Sequence, residues 1–271
     1  MLPSGLMARA WIVVVLVGLA SSAQGADDRD PLSRARTLYN LHQYDAAIAA
    51  ADQARPAPGH RDGADLVAAR ALLERYRSGS EADDLAGART RLSRIDPQHF
   101  GPRERVEYLI GLGETLYFEN AFGAAADLFD SVLTSPSLLT AAERERVLDW
   151  WASALDRDAA SRTELERRDV YERIRARMKE EIGAVPASVA ASYWLSMAAR
   201  GQGDLQGAWE AAQAGWVRAP MASDRGTALR EDIDDLVTRA LVPERSRALG
   251  QPAETLQQEW ERFKERWAKE N

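Results

Sequence analysis

Leu109-Ile110-Gly111-Leu112-Gly113-Glu114-Thr115-Leu116 is followed, after a short turn, by Ala125 and then Phe129. Leu109, Leu112 and Leu116 recur at three and four residues, the spacing that lines up one face of an α-helix. Gly113 has no side chain, so a second helix can lie close against the first. Ala125 and Phe129, one small and one large, complete the contact from that second helix. The stretch predicts a helical hairpin closed at a glycine.

Outward from this hairpin the helical spacing continues, with Pro and Gly at the joints and no run of alternating β-branched residues. Helices are predicted over residues 31–41 and 45–54, with a turn at His42-Gln43, and over 63–77 and 82–95, broken by Ser78-Gly79-Ser80. Thr140 can cap a helix through Asp156. In the next, over 163–182, Val170, Ile174, Met178 and Ile182 recur every four residues. Residues 188–200 and 205–217 flank a turn at Gly201-Gln202-Gly203, and two more helices are expected over 223–240 and 253–269. In the last, Leu256, Trp260, Phe263 and Trp267 share a face opposite mixed Gln, Glu, Arg and Lys.

The Leu-Gly and Ala-x3-Phe spacings resemble the tetratricopeptide repeat (TPR), with Leu109 in place of the usual Trp and Leu116 in place of the usual Tyr. Ala47 and Ile48, then Ala88, Leu92 and Ile95, then Leu195, Ser196, Gly203, Ala208 and Pro220 also fall where that family places packing or turn residues. Ala51 stands where Phe is expected. Taking Ala47, Ala88, Ala125, Val170 and Ala208 as equivalents gives steps of 41, 37, 45 and 38. Each exceeds the family period of about 34, so the implied array is irregular.

The resemblance covers residues 31–220. It implies an all-α fold: an irregular right-handed superhelix of antiparallel helix hairpins, a TPR-like α-solenoid over residues 26–221, with C-terminal capping helices over 222–271. Proteins of this family act as scaffolds whose first helices line a concave groove that holds a peptide or a partner helix. Carried onto this chain, the groove positions are Arg36, Tyr39 and Asn40 in the first unit and Glu114, Tyr117 and Phe118 in the third. The fifth unit offers Tyr193, Met197 and Arg200, and the fourth offers Asp149 and Ser153.

Residues 1–25 carry the pattern of a secretory signal: Arg9 as positive flank, an apolar run from Trp11 to Ala20, and Ala23-Gln24-Gly25 as a small-x-small cleavage site. Cleavage after Gly25 would leave 246 of the 271 residues. The apolar run is shorter than the roughly 20 residues that span a bilayer, and no stable membrane insertion is expected after cleavage. The chain has no cysteine, so its stability must come from its apolar core and not from disulfides. Arginine outnumbers lysine by 32 to 3, a bias expected of a GC-rich bacterial coding sequence. The expected location is the bacterial periplasm or the medium.

The formal charge is −7, and the arginines alternate with acids, as in Glu143-Arg144-Glu145-Arg146. Nucleic-acid binding needs a basic face that releases counterions from phosphates, which this balance does not supply. The three histidines, His42, His60 and His99, are far apart and lack metal-ligand spacing. No metal and no cofactor is expected. Asp27-Asp28, Asp83-Asp84 and Asp234-Asp235 lack the alternating oxygen ligands of a calcium loop. No nucleophile elbow, phosphate loop or Cys-His pair occurs. Trp150 and Trp151 are adjacent, so they point to different sides of their helix, one packing and the other reaching a groove or a neighbouring helix.

These features predict a non-enzymatic exported scaffold that binds a protein or peptide. The alternative is a glycan-directed envelope enzyme or accessory, because two well-spaced carboxylates suffice for acid–base hydrolysis. Glu114 and Asp149 are the candidates for that pair.

Overall fold

Asp30 accepts hydrogen bonds from the backbone N–H groups of Leu32 and Ser33 and so starts α1 (Pro31–Asn40). The computed structural model describes residues 30–224 and 226–269. Among these no strand occurs, and the expected export segment with its cleavage point lies outside them. After α1 come α2 (Tyr44–Ala54), α3 (Arg61–Gly79), α4 (Ala82–Leu92), α5 (Pro102–Phe118), α6 (Phe122–Leu133) and α7 (Ala141–Ala159). The chain continues through α8 (Glu164–Ala184), α9 (Val189–Gly201), α10 (Leu205–Arg218), α11 (Thr227–Leu236), α12 (Val242–Leu249) and α13 (Ala253–Lys269). Thr140 and Thr163 each close a capping box, with Glu143 and Glu166, at the starts of α7 and α8. No helix among the described residues is long and apolar enough to cross a membrane.

One turn recurs. His42, Ser80, Asn120 and Gly203 all have positive φ, between 57° and 80°, and each stands two residues before the second helix of its hairpin. Backbone bonds from Gln43 N–H to Leu38 O, Ala121 N–H to Leu116 O and Asp204 N–H to Ala199 O close three of these turns in the same way. That is the six-residue closure that follows a left-handed helix end. The α7–α8 joint lacks it.

Consecutive helices pack against one another from α1 to α10, closely except at α4 with α5 and α7 with α8, where the contact is smaller. A second set of contacts runs through alternate helices, from α1 to α3, α5, α7, α9 and α11. The apolar clusters follow chain order in the same manner. Ala35, Ala50, Ala51, Ala54, Ala64 and Ala68 let α1, α2 and α3 approach closely. Phe129, Trp151, Ile174 and Trp194 belong to the large central cluster.

The contact between α5 and α6 is as the glycine implies. A Cβ on Gly113 would stand 2.6 Å from Cε1 of Phe129, while Ala125 and Phe129 are fully buried. Gly201, expected in a turn, is instead the last residue of α9, and a Cβ there would overlap the Tyr171 ring of α8 at 2.5 Å.

The helix expected over 223–240 runs further than its pattern suggested. α11 passes through one wide turn, Val237–Leu241, straight into α12. Pro243 explains the wide turn: it has no N–H to offer the carbonyl four residues back, and its ring crowds that carbonyl. α13 then buries Leu256, Trp260 and Phe263 in a cluster with Trp209, Ile233 and Leu241. The Trp260 indole donates to Asp234 at 2.7 Å.

Replacing Gly113 with Ala is expected to lower unfolding free energy by about 1–3 kcal/mol through overpacking against Phe129. Adding Phe129→Leu should make the double variant less destabilised than the two single effects summed. Urea denaturation followed by circular dichroism measures both, and strict additivity would show that the two residues do not meet.

Candidate functional site

Helices α3, α5 and α7 bring polar and aromatic stripes together. On α3 the stripe is Arg70, Glu74 and Arg77, at i, i+4 and i+7. On α5 it is Glu107, Glu114 and Phe118, and on α7 it includes Arg146 and Trp150. Helix α5 touches both of the others, and its residues form successive rungs between them.

At the first rung, Glu107 accepts from Arg70 Nη1 on α3 at 2.7 Å and from Arg103 Nε at 3.1 Å, and Arg103 continues to Glu143 on α7. Two turns along, Glu74 of α3 and Arg146 of α7 reach one another at 3.6 Å, while Glu74 is also paired with Arg77. Glu114 lies among them, under the charges of Glu74, Arg77, Arg146 and Arg70. One further turn along, the Phe118 ring meets Tyr76 of α3 at 4.8 Å and Trp150 of α7 at 5.4 Å, both edge to face.

Glu114 is the anomaly. It is only 8% exposed. Burial, and after it repulsion from Glu74, pushes its carboxyl up to about 7 against the opposing pull of Arg77, Arg146 and Arg70. No hydrogen bond from a described residue reaches it, although buried polar groups are nearly always bonded. Its neighbours along the shared face, Glu107 and Phe118, are partly exposed. When neutral it can donate one hydrogen bond, and when ionised it can only accept.

The other sequence-derived positions divide. Tyr39 joins the cluster: the Arg70 guanidinium lies 4.5 Å over its ring, and burial raises its phenol above the ordinary value. Phe118 joins as described. Tyr117 is turned to the contact between helices, its hydroxyl 2.7 Å from Ser153 Oγ and its ring 4.6 Å from Trp150. Arg36 is paired with Glu104 at 2.6 Å, and Asn40 is exposed at the end of α1.

The fifth unit is not brought to Glu114. Tyr193 and Met197 pack against the two adjoining apolar clusters, and Arg200 makes a two-pronged bond to Glu244 of α12. Asp149, the other acid considered for hydrolysis, accepts from the Trp194 indole at 2.8 Å. The acid coupled to Glu114 is Glu74 instead. Trp151 is buried in the core and Trp150 reaches the shared face, as their adjacency required.

The sequence did not single out Arg70, Glu74, Tyr76, Arg77 or Arg146. A usable sign was present on α3, which is apolar almost all round from Gly63 to Leu73, so Arg70, Glu74 and Arg77 at i, i+4 and i+7 stand out as a polar stripe on one side of it. A separate recess of about 440 Å³ between α2 and α4 is lined by Asp52, Arg55, Arg91 and Arg94. Its Arg55 and Arg91 already hold the buried Asp65, at 3.0 and 3.3 Å. The histidines lie apart: His42 bonds the Tyr44 hydroxyl, His60 faces Asp30, and His99 bonds Asp62. Among the described residues no three His, Asp or Glu side chains group as metal ligands.

Comparison with protein-family models, with curated proteins and with solved structures returned no match to this chain.

Because the folded state raises the Glu114 pKa from 4.5 to about 7, the native protein holds a proton there that the unfolded chain releases. The resulting stability is complete below about pH 4.5 and is lost as pH rises through 7. Glu114→Gln has no such dependence. Its stability relative to the parent should therefore rise by up to roughly 3 kcal/mol between pH 4.5 and 8. Denaturant midpoints across that range test it, and a constant difference would refute it.

Proposed function

We propose that this chain is a TPR-like scaffold, an irregular right-handed stack of helix hairpins, that binds a protein or peptide along the face shared by α1, α3, α5 and α7. The repeated left-handed turn and the contacts through alternate helices support the family reading. The observation that carries the binding role is the ladder along α5, where half-buried rings and charges accompany a carboxyl that no described residue hydrogen-bonds. Rings such as Phe118 and Trp150 offer contact area at low conformational cost, a recurrent property of binding surfaces. In this reading residues 222–271 cap the stack, with α13 covering the last apolar surface. Export to the periplasm or medium remains the proposed location, on the strength of residues 1–25.

A photo-crosslinking amino acid placed at Asn40 or Arg146, on this face, should capture a discrete partner in extracts of the source cells. The same amino acid at Arg94, in the turn after α4, or at Asp127 on α6 should not. Mass spectrometry identifies the adducts, and equal capture from both sets of positions would reject the assigned face.

A second reading, carboxylate chemistry on an envelope glycan, draws on Glu114 and Glu74. Hydrolysis of a glycosidic bond uses one protonated and one ionised acid. Glu114 keeps its proton up to about pH 7, and Glu74 is held by Arg77 and Arg146. Release of reducing ends from peptidoglycan fragments, abolished by Glu114→Gln, would establish this reading in place of the scaffold.

A further inference from the structure

We infer that the partner presents a basic side chain, Lys or Arg, to Glu114, and that this cation displaces Arg146 from the ladder. The inference rests on the scaffold reading above and specifies the chemistry of what is bound.

The sign of the occupant follows from which groups already have partners. On α3, Arg70 is bonded to Glu107 at 2.7 Å and Arg77 is paired with Glu74. Among these acids Glu114 alone lacks a donor. An anionic ligand would have to break existing pairs while facing two carboxyls, Glu74 and Glu114. A cationic ligand completes the one acid left over and faces an acid already in place.

Arg146 is the cation that can give way. Its contact to Glu74, at 3.6 Å, is longer than a hydrogen bond, and its side chain is 45% exposed. An ion pair so open contributes little, so its release into solvent costs little. Trp150, one turn along α7 from Arg146, and Phe118, one turn along α5 from Glu114, meet at 5.4 Å, so the next rung along the face is aromatic, and ring faces attract cations. The charged and titratable groups that act on Glu114 are thus Tyr39 of α1, Arg70, Glu74 and Arg77 of α3, and Arg146 of α7.

Binding of a cation pulls the proton from Glu114, so affinity must rise with pH in the range where that carboxyl is still protonated. A purely structural role for Glu114 gives no such coupling.

The test uses the whole protein and a displayed library of random dodecapeptides as probe. Enriched peptides are made with blocked ends and titrated by calorimetry. Peptides should share a Lys or Arg at one position. Glu114→Gln should weaken them by about tenfold or more, the loss typical of a charge-assisted hydrogen bond. Arg146→Ala should bind them as well as or more tightly than the parent, because a competing cation is gone. Parent affinity should increase by up to about tenfold per unit between pH 5.5 and 7. Circular dichroism confirms that each variant folds. If Glu114→Gln does not fold, replacing the peptide's basic residue with norleucine reads the same contact. Enriched peptides without a basic residue, or loss of binding in Arg146→Ala, would overturn this inference and leave the scaffold reading intact. No enrichment at all would overturn both.

Discussion

The close approach of α5 to α6 at Gly113 is the constraint on which the rest depends. With the Phe129 ring lying where a Cβ would be, the two helices approach nearer than ordinary side chains allow. This seats Ala125 in the contact and fixes the rotation of α5 about its own axis. Once that rotation is set, Glu107, Glu114 and Phe118 can only turn toward α3 and α7. The apolar contact on one side of α5 therefore determines the polar ladder on the other.

That ladder carries an unusual cost. A carboxyl held at 8% exposure without a hydrogen-bond partner among the described residues is unfavourable when ionised, and the protein accommodates it by keeping the proton on up to neutral pH. A glutamine would fill the same space without the penalty. Conditions that selected only for stability would remove such a group, whereas a role in recognition gives a reason to retain it. Asp65 makes the contrast: fully buried, yet held by Arg55 and Arg91 on two sides, it is an acid that serves packing.

Much of the architecture was legible because it depends on local rules. Gly113 with Phe129, Thr140 as a cap, and the turn at Gly203 were readable from spacing and side-chain chemistry. The joining of α11 to α12 was not, since Pro243 reads as a helix breaker and only neighbouring packing lets the helix pass through it in a wide turn. The ladder was half legible. Glu114, Phe118 and Tyr39 came from register, but Glu74 and Arg146 are 72 residues apart in the chain and meet only because α3 and α7 flank the same helix. Arg200 was placed correctly on α9, yet its bond to Glu244 belongs to a helix that carried no repeat pattern.

The preference for arginine over lysine has a mechanical meaning in this fold. Arg75 links Asp45 of α2 to Asp84 of α4, Arg91 links Asp52 to Asp65, and Arg103 links Glu107 to Glu143. A planar guanidinium with five N–H donors can hold two acids from two helices at once, which a single ammonium does with less directional control. Neighbouring helices are thereby braced by ties along their rims as well as by the core between them. The core is insensitive to ionic strength, but the exposed ties are screened by it. The angular stiffness between adjacent helices accordingly softens as salt rises, even where the folded state as a whole loses little stability.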